Sequence, residues 1–386
     1  MNPFTDEHEM FRKTLRTFVE REINPYVEEW EAAEIYPAKE ILKKLGDLGV
    51  LGLKYEEAYG GMEADYWYTV ILGEELGRIP CGGVPMSIGV HTDMATPALA
   101  EHGTPELKAK FLAPAIRGEQ VAAIAVTEPD AGSDVAGIRT RAVRDGDEYI
   151  INGSKLYITN GIQADWVCLL ARTGDESGFR GMSLIIVPTD TPGFSVSRKL
   201  KKLGNHSSDT AELSFQNMRV PVSNRIGEEG MGFILQMQQF QLERLIAVYM
   251  GISGAELAVR RTIDYLQERK TFGKPIIDNQ FVHFKIAELL TEIELQRQFS
   301  YHCADMIERK CDVTREASMA KYRVGKLMRE VADWCLQFHG GIGYMEETWV
   351  SRYFRDARLT SIGGGADEIM LGIIAKYEGI LPGKTK

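Results

Sequence analysis

Residues 123–134 read AIAVTEPDAGSD, and this stretch divides the chain. Its first half continues a short run of small and β-branched residues that starts at Val121; its second half is a turn built from Pro129, Asp130, Gly132, Ser133 and Asp134. Before it, over residues 6–118, apolar residues recur at helical spacing (Phe11, Leu15, Phe18, Val19; Ile41, Leu42, Leu45, Leu48), and Pro37, Gly60, Gly61, Pro80 and Pro105 cut the pattern into helix-sized pieces. After it, as far as residue 222, β-rich runs (EYIINGS, KLYIT, DWVCLLA, MSLIIVP, FSVSRKL, AELSFQN) alternate with Gly, Pro, Asn and Asp turns, which predicts an all-β sandwich or barrel. From residue 232 helical periodicity returns in long segments, broken at 270–279, 340–343 and 363–365, as in a bundle. The expectation is an α+β multidomain chain with an N-terminal helical domain (1–120), a central β-sandwich or barrel (121–230) and a C-terminal four-helix bundle (231–386).

Composition narrows the function. With 386 residues and 44% hydrophobic content the chain is long enough for two or three packed units. No apolar run approaches the roughly 18 residues of a membrane span, and the N-terminal segment is charged where a signal peptide is apolar, so a soluble, unprocessed protein is expected. The five cysteines (Cys81, Cys168, Cys303, Cys311, Cys335) form no CxxC, and no His pair stands at zinc spacing; this fits a reducing cytoplasm and offers no metal site. A formal charge of −10 repels a nucleic-acid backbone, so a phosphate-bearing ligand has to be held locally.

Four further segments stand at the joints of this helical–β–helical order: INGSKLYITNG (151–161), SSDTAELSF (207–215), RKTFGKPIIDNQ (269–280) and QFHGGIGY (337–344). Together with AIAVTEPDAGSD, and in the same order, they resemble the acyl-CoA dehydrogenase family. The resemblance implies its three-domain fold and FAD as cofactor. It also implies α,β-dehydrogenation of an acyl-CoA thioester, transfer of the electrons to an electron-transferring flavoprotein, and a homo-oligomer, expected to be a tetramer. An acyl-CoA oxidase, or a binding protein that has lost catalysis, are the rival readings.

A flavin has a polar edge that needs hydrogen bonds, a reactive N5 and a flat face to be covered. By the resemblance, Val126 and Thr127 meet the polar edge, Thr159 lies near N5, and Tyr157 stands where many relatives carry tryptophan. Each is otherwise an ordinary strand residue. Ser133, in a turn of small residues with exposed amides, is expected on substrate or on the cofactor diphosphate. Arg269 is a permanent cation suited to a diphosphate. With Phe272 and Gln280, and with Gln337, Gly340 and Gly341, it is implied to serve the FAD of a neighbouring subunit. Ala366 and Glu368 are implied to border FAD, although Asp367 and Glu368 also suit the start of a helix.

The reaction needs a base for the α-proton. Many family members supply a glutamate from a late loop, but the aligned position here is Gly364 in SIGGGADEI. The long helix after residue 232 offers Glu243 in QLERLIA, with Phe240, Ile246, Ala247 and Met250 along the same side. Desolvation there raises a carboxyl pKa toward the range of a base. The isovaleryl- and long-chain acyl-CoA dehydrogenases resemble this arrangement, so Glu243 is the expected base; an ion pair with Arg244 or Arg297 is the alternative. Arg244, Gly364 and Gly365 are expected to touch substrate, the Gly364 amide holding the thioester oxygen. The basic cluster Arg198, Lys199, Lys201 and Lys202 is a weaker candidate for a CoA phosphate. The C-terminal run resembles the citronellyl-CoA dehydrogenase-like branch, which points to a methyl-branched or medium-to-long acyl chain.

Overall fold

In the computed structural model, residues 3–175 and 178–382 are described. The N-terminal part is helical. Helix α1 (Asp6–Phe18) starts at Thr5, whose hydroxyl accepts from the His8 amide while its own amide donates to the His8 ring, closing a capping box. Helix α2 (Ala38–Asp47) buries Ile41, Leu42 and Leu45 on one face. Helix α3 (Tyr66–Leu76) is buried nearly all round, as a core helix must be, and is clamped to α1 by Arg16–Glu75 at 2.6 Å. Helix α4 (Gly83–Gly89) runs straight into a wide, π-helical turn, Val90–Ala95, every residue of which is buried.

The middle part is one hydrogen-bonded sheet of β1 (Ala122–Ala125), β2 (Arg141–Asp145), β3 (Glu148–Thr159), β4 (Trp166–Arg172), β5 (Met182–Pro188), β6 (Phe194–Lys199), β7 (Thr210–Pro221) and β8 (Arg225–Ile226). The strand order is β6-β7-β3-β2-β4-β5-β8, with β1 added in parallel on β4. A single residue pair, Arg141 with Arg172, joins β2 to β4. The sheet therefore folds there into two halves whose inner faces, Tyr149, Ile151, Leu213 and Phe215 against Val167, Leu169 and Ile185, share one core. This is the expected sandwich or barrel character. Two details differ from the sequence reading. EYIINGS and KLYIT form the single strand β3, interrupted by register shifts, and RAVRD, too charged to read as a strand, forms β2.

The C-terminal part contains α5 (Gly232–Glu268), α6 (Gln280–Glu308), α7 (Thr314–His339), α8 (Trp349–Ala357) and α9 (Asp367–Tyr377). α5, α6 and α7 enclose a core of Leu245, Val248, Ile286, Leu289, Val324 and Leu327, and α9 completes the bundle by packing on α7. Tyr66 and Val70 of α3 join the same core, so the two helical parts are welded along α5. No helix among the described residues is long and apolar enough to cross a membrane.

Candidate active site

Helix α5 carries Glu243 past the wide turn. One turn earlier on α5, the Gln239 amide donates to the Met94 carbonyl at 2.6 Å and accepts from Ala98 N at 3.1 Å, bonding the open end of that turn to the helix. On the other side His91 accepts from Ala122 N at 3.1 Å. The wide turn is thus wedged between β1 and α5, bringing the end of β1, where Val126 and Thr127 begin, to the wall that holds Glu243.

Glu243 is 8% exposed. It makes no ion pair or hydrogen bond among the described residues, and Arg297 pairs instead with Glu256 at 2.6 Å, so the ion-pair alternative does not hold. Burial pushes the Glu243 carboxyl up to about 7, with Asp93 pushing the same way and Arg244 and Lys321 opposing. Asp93 lies in the wide turn, where it is held by Lys54 and by the Thr92 hydroxyl.

Opposite Glu243 stands the loop before α9. Gly364 and Gly365 are consecutive left-handed residues, with φ of 62° and 95°, a turn that side chains other than glycine adopt only under strain. A Cβ on Gly364 would lie 3.6 Å from Glu243 Oε1, and one on Gly365 would lie 3.9 Å from Arg244 Nη2. Arg244 donates to Gln241 Oε1 at 3.1 Å and leaves its Nε unpartnered in the interior. Ala366 caps α9, and Asp367 and Glu368 fill its first turn. The predicted residues Glu243, Arg244, Gly364, Gly365 and Ala366 are therefore gathered in one place. Lys321, which bonds to the Gly365 carbonyl, joins them without having been foreseen.

The second group lies where β1 ends. Leu156 N donates to Thr127 O at 2.8 Å, and the buried Lys155 ammonium bonds both Val126 O at 2.7 Å and Glu128 at 2.9 Å. The β3–β7 register shifts between Lys155 and Ile158. In that bulge Tyr157 has φ 63° and is 66% exposed, an aromatic turned out of the strand at a local cost. The Thr127 amide and hydroxyl and the Thr159 hydroxyl make no hydrogen bond among the described residues. Free donors beside an outturned ring are what a flavin edge and face require, so these residues fit the group. Ser133 is exposed just beyond the Glu128–Ala131 turn.

The third group is remote. Arg269 ends α5, 26 positions past Glu243 and about 39 Å along the axis. Phe272 sits at the tip of the hairpin Lys270–Thr271/Lys274–Pro275 with φ 51° and is fully exposed, and Gln280 opens α6. Gln337, Gly340 and Gly341 lie at the end of α7, also exposed. Tyr265 stacks on His339 at 4.3 Å and Phe281 meets Trp334 at 5.6 Å, so these segments share one outer face. The basic cluster is divided: Lys202 turns inward to Ser208, Arg198 pairs with Glu212 at 3.2 Å, and Lys199 and Lys201 are exposed.

Two hollows lie along α5, one on each side of Glu243 in sequence, and Glu243 lines neither. A cavity of about 120 Å³ follows α5 beyond it, between Ala247, Met250 and Gly254 on one side and Met86, Tyr353 and Ala357 on the others. In the other direction an open groove runs between Phe179, Phe233, Met237, Gln241 and Leu242 and the α6–α7 connection. Neither was legible beforehand, because their walls come from segments far apart in sequence.

Residues 5–119, 123–218 and 230–378 match, in turn, the N-terminal, middle and C-terminal domains of acyl-CoA dehydrogenase. The chain is 41% identical over 376 residues to the long-chain specific acyl-CoA dehydrogenase of Rattus norvegicus mitochondria, covering 97% of this chain and 86% of that one. The crystal structure of an acyl-CoA dehydrogenase from Geobacillus kaustophilus superposes with a TM-score of 0.94 at 42% identity, covering 98% and 99% of the two chains. A chain from a structure of the electron transferring flavoprotein of Acidaminococcus fermentans does so with a TM-score of 0.94 at 33% identity, covering 98% and 99%. With all three parts matched in order and the three-part fold reproduced throughout, this chain belongs to the acyl-CoA dehydrogenase family, a family of flavin-dependent oxidoreductases.

Proposed function

We propose that the enzyme oxidises a methyl-branched or medium-to-long acyl-CoA to the trans-2-enoyl-CoA, with Glu243 as the base. The observation that carries this reading is the buried, unpaired Glu243 carboxylate facing the Gly364 turn. A carboxylate in that setting is poised to accept a proton near neutral pH. The thioester lies between helix and loop, the Gly364 amide donating to its oxygen as negative charge develops and Arg244 adding to the positive surroundings. FAD, when bound, supplies the acceptor for the β-hydride. Val126, Thr127 and Thr159 hold its polar edge, Tyr157 covers its face, and Ser133, Ala366 and Glu368 border it.

The acyl tail occupies the cavity beyond Ala247, whose methionine walls adapt to branched or long chains, and the CoA arm takes the open groove. Arg269, Phe272, Gln280, Gln337, Gly340 and Gly341 serve the flavin of a second copy, because about 39 Å of helix separates Arg269 from Glu243, more than one FAD spans. A homotetramer divided at 120/121 and 230/231 into three domains, acting in the cytoplasm and passing electrons to an electron-transferring flavoprotein, completes the reading. Turnover with butyryl-, palmitoyl- and methyl-branched acyl-CoA, followed with an electron-transferring flavoprotein and with dioxygen as alternative acceptors, tests it. Preference for the first acceptor and for the longer or branched chains is expected; peroxide release at the full rate identifies an oxidase.

A further inference from the structure

Beneath the Gly364–Gly365 turn lies a buried cation that the scheme above does not use. Lys321, on the inward side of α7, is 2% exposed, and no carboxylate lies within ion-pair distance of it among the described residues. Its ammonium donates to one acceptor, the carbonyl of Gly365. An ammonium has three donors, and burying one against a single neutral oxygen is costly.

The charged groups that face it come from two elements. Arg244 and Glu243 face it from α5, and Asp367 and Glu368 from the first turn of α9, Asp367 being turned toward Arg329 at 3.3 Å. Arg244 is the second buried cation here, 6% exposed. Two cations and one unpaired carboxylate thus enclose two successive glycines whose backbone has few steric limits of its own.

We propose that Lys321 is a positioning residue for the dehydrogenation: it pins the Gly365 carbonyl, so fixing the direction of the Gly364 amide, and its charge offsets the negative charge that gathers on the thioester oxygen. The proposal rests on the reading of Glu243 and the Gly364 amide given above. In the step concerned the α C–H bond breaks, the proton passes to Glu243, and the electron pair stays on the substrate as enolate; Lys321 keeps its own proton throughout. Burial lowers its pKa to about 8, which leaves it charged at neutral pH.

The test uses the FAD-loaded enzyme and a 3-thiaacyl-CoA. With sulfur in place of the β-carbon there is no hydride to transfer, so proton removal alone is seen, as long-wavelength absorbance of the enolate against the oxidised flavin. In Lys321→Met the pH midpoint of that band is expected to rise by about one pH unit or more. Flavin reduction by a true substrate should slow roughly 100-fold with little change in KM. Lys321→Arg keeps the charge and donors and should recover most of both. An unmoved midpoint and rate in Lys321→Met, or equal loss of FAD in both variants, would make the lysine structural only and overturn the proposal. Glu243→Gln run alongside separates the two readings: a band that persists there overturns the base assignment and this proposal with it. A band lost there but unmoved in Lys321→Met overturns the role of the lysine alone.

Discussion

A Cβ on Gly364 would stand 3.6 Å from Oε1 of Glu243, so a carboxylate carried by the loop and one carried by the helix would converge on one spot. The departure from the common loop glutamate and the buried helix glutamate are two sides of one arrangement. Moving a carboxylate from helix to loop is therefore a substitution problem, with backbone strain as its main cost.

Glu243→Gly combined with Gly364→Glu should restore part of the activity lost in Glu243→Gly alone, preferentially with unbranched chains, because the new side chain fills the space in front of the loop. Gly364 has φ 62°, and an L residue there costs about 1–2 kcal/mol, so a lower Tm is expected as well. Gly364→Glu alone should shift the activity profile to higher pH, since two adjacent carboxylates raise one another's pKa. Steady-state rates with straight and branched acyl-CoA, and a thermal melt, check all three.

The pH dependence has a definite sign. Burial holds the Glu243 carboxyl at about 7, so kcat/KM for flavin reduction should rise as pH passes through 7 and level off above it. Stability moves the other way. The folded carboxyl binds its proton more tightly than the unfolded one, so the stabilisation it gives is complete below the ordinary pKa of 4.5 and is lost as pH rises through about 7. The amount is on the order of 3 kcal/mol. Glu243→Gln should accordingly gain Tm over the parent at pH 8 and not at pH 4.5; an equal difference at both would show that the carboxyl is not desolvated.

Arg269→Ala should release FAD more readily and leave the fold unchanged, because the Arg269 side chain is exposed at the end of α5 and makes no hydrogen bond or ion pair among the described residues, while its backbone bonds are kept by alanine. Dialysis followed by the flavin absorbance, with circular dichroism as control, measures this. Sedimentation of an FAD-loaded, active monomer would contradict the shared cofactor site.

How much of this could be read beforehand depended on where the signal sat. The order helical, β, helical and the exposure of Glu243 to an apolar helix side follow from local periodicity, and both are seen. The bulge at Tyr157 was invisible because it arises from pairing with Ala211 and Leu213 of β7 and not from KLYIT itself. Lys321 in MAKYRVGK reads as an ordinary solvated lysine; only the packing of α7 against the loop takes it inside. Lys202, offered with its cluster for a CoA phosphate, likewise turns inward, its ammonium bonding Ser208.

The acyl tail is proposed to occupy the cavity past Glu243, which Ala247, one turn beyond Glu243 on α5, helps to line. Ala247→Leu should lower kcat/KM for palmitoyl-CoA roughly tenfold or more and spare butyryl-CoA. Equal loss with both would place the acyl tail elsewhere.

The base assignment is tested most directly by Glu243→Gln in an anaerobic single turnover with acyl-CoA, followed by bleaching of the flavin. Glutamine keeps the size and polarity of the side chain, so the yellow colour and acyl-CoA binding should persist, and bleaching should slow by about 10²- to 10⁴-fold. Bleaching as fast as in the parent enzyme would contradict the account and send the search to another carboxylate.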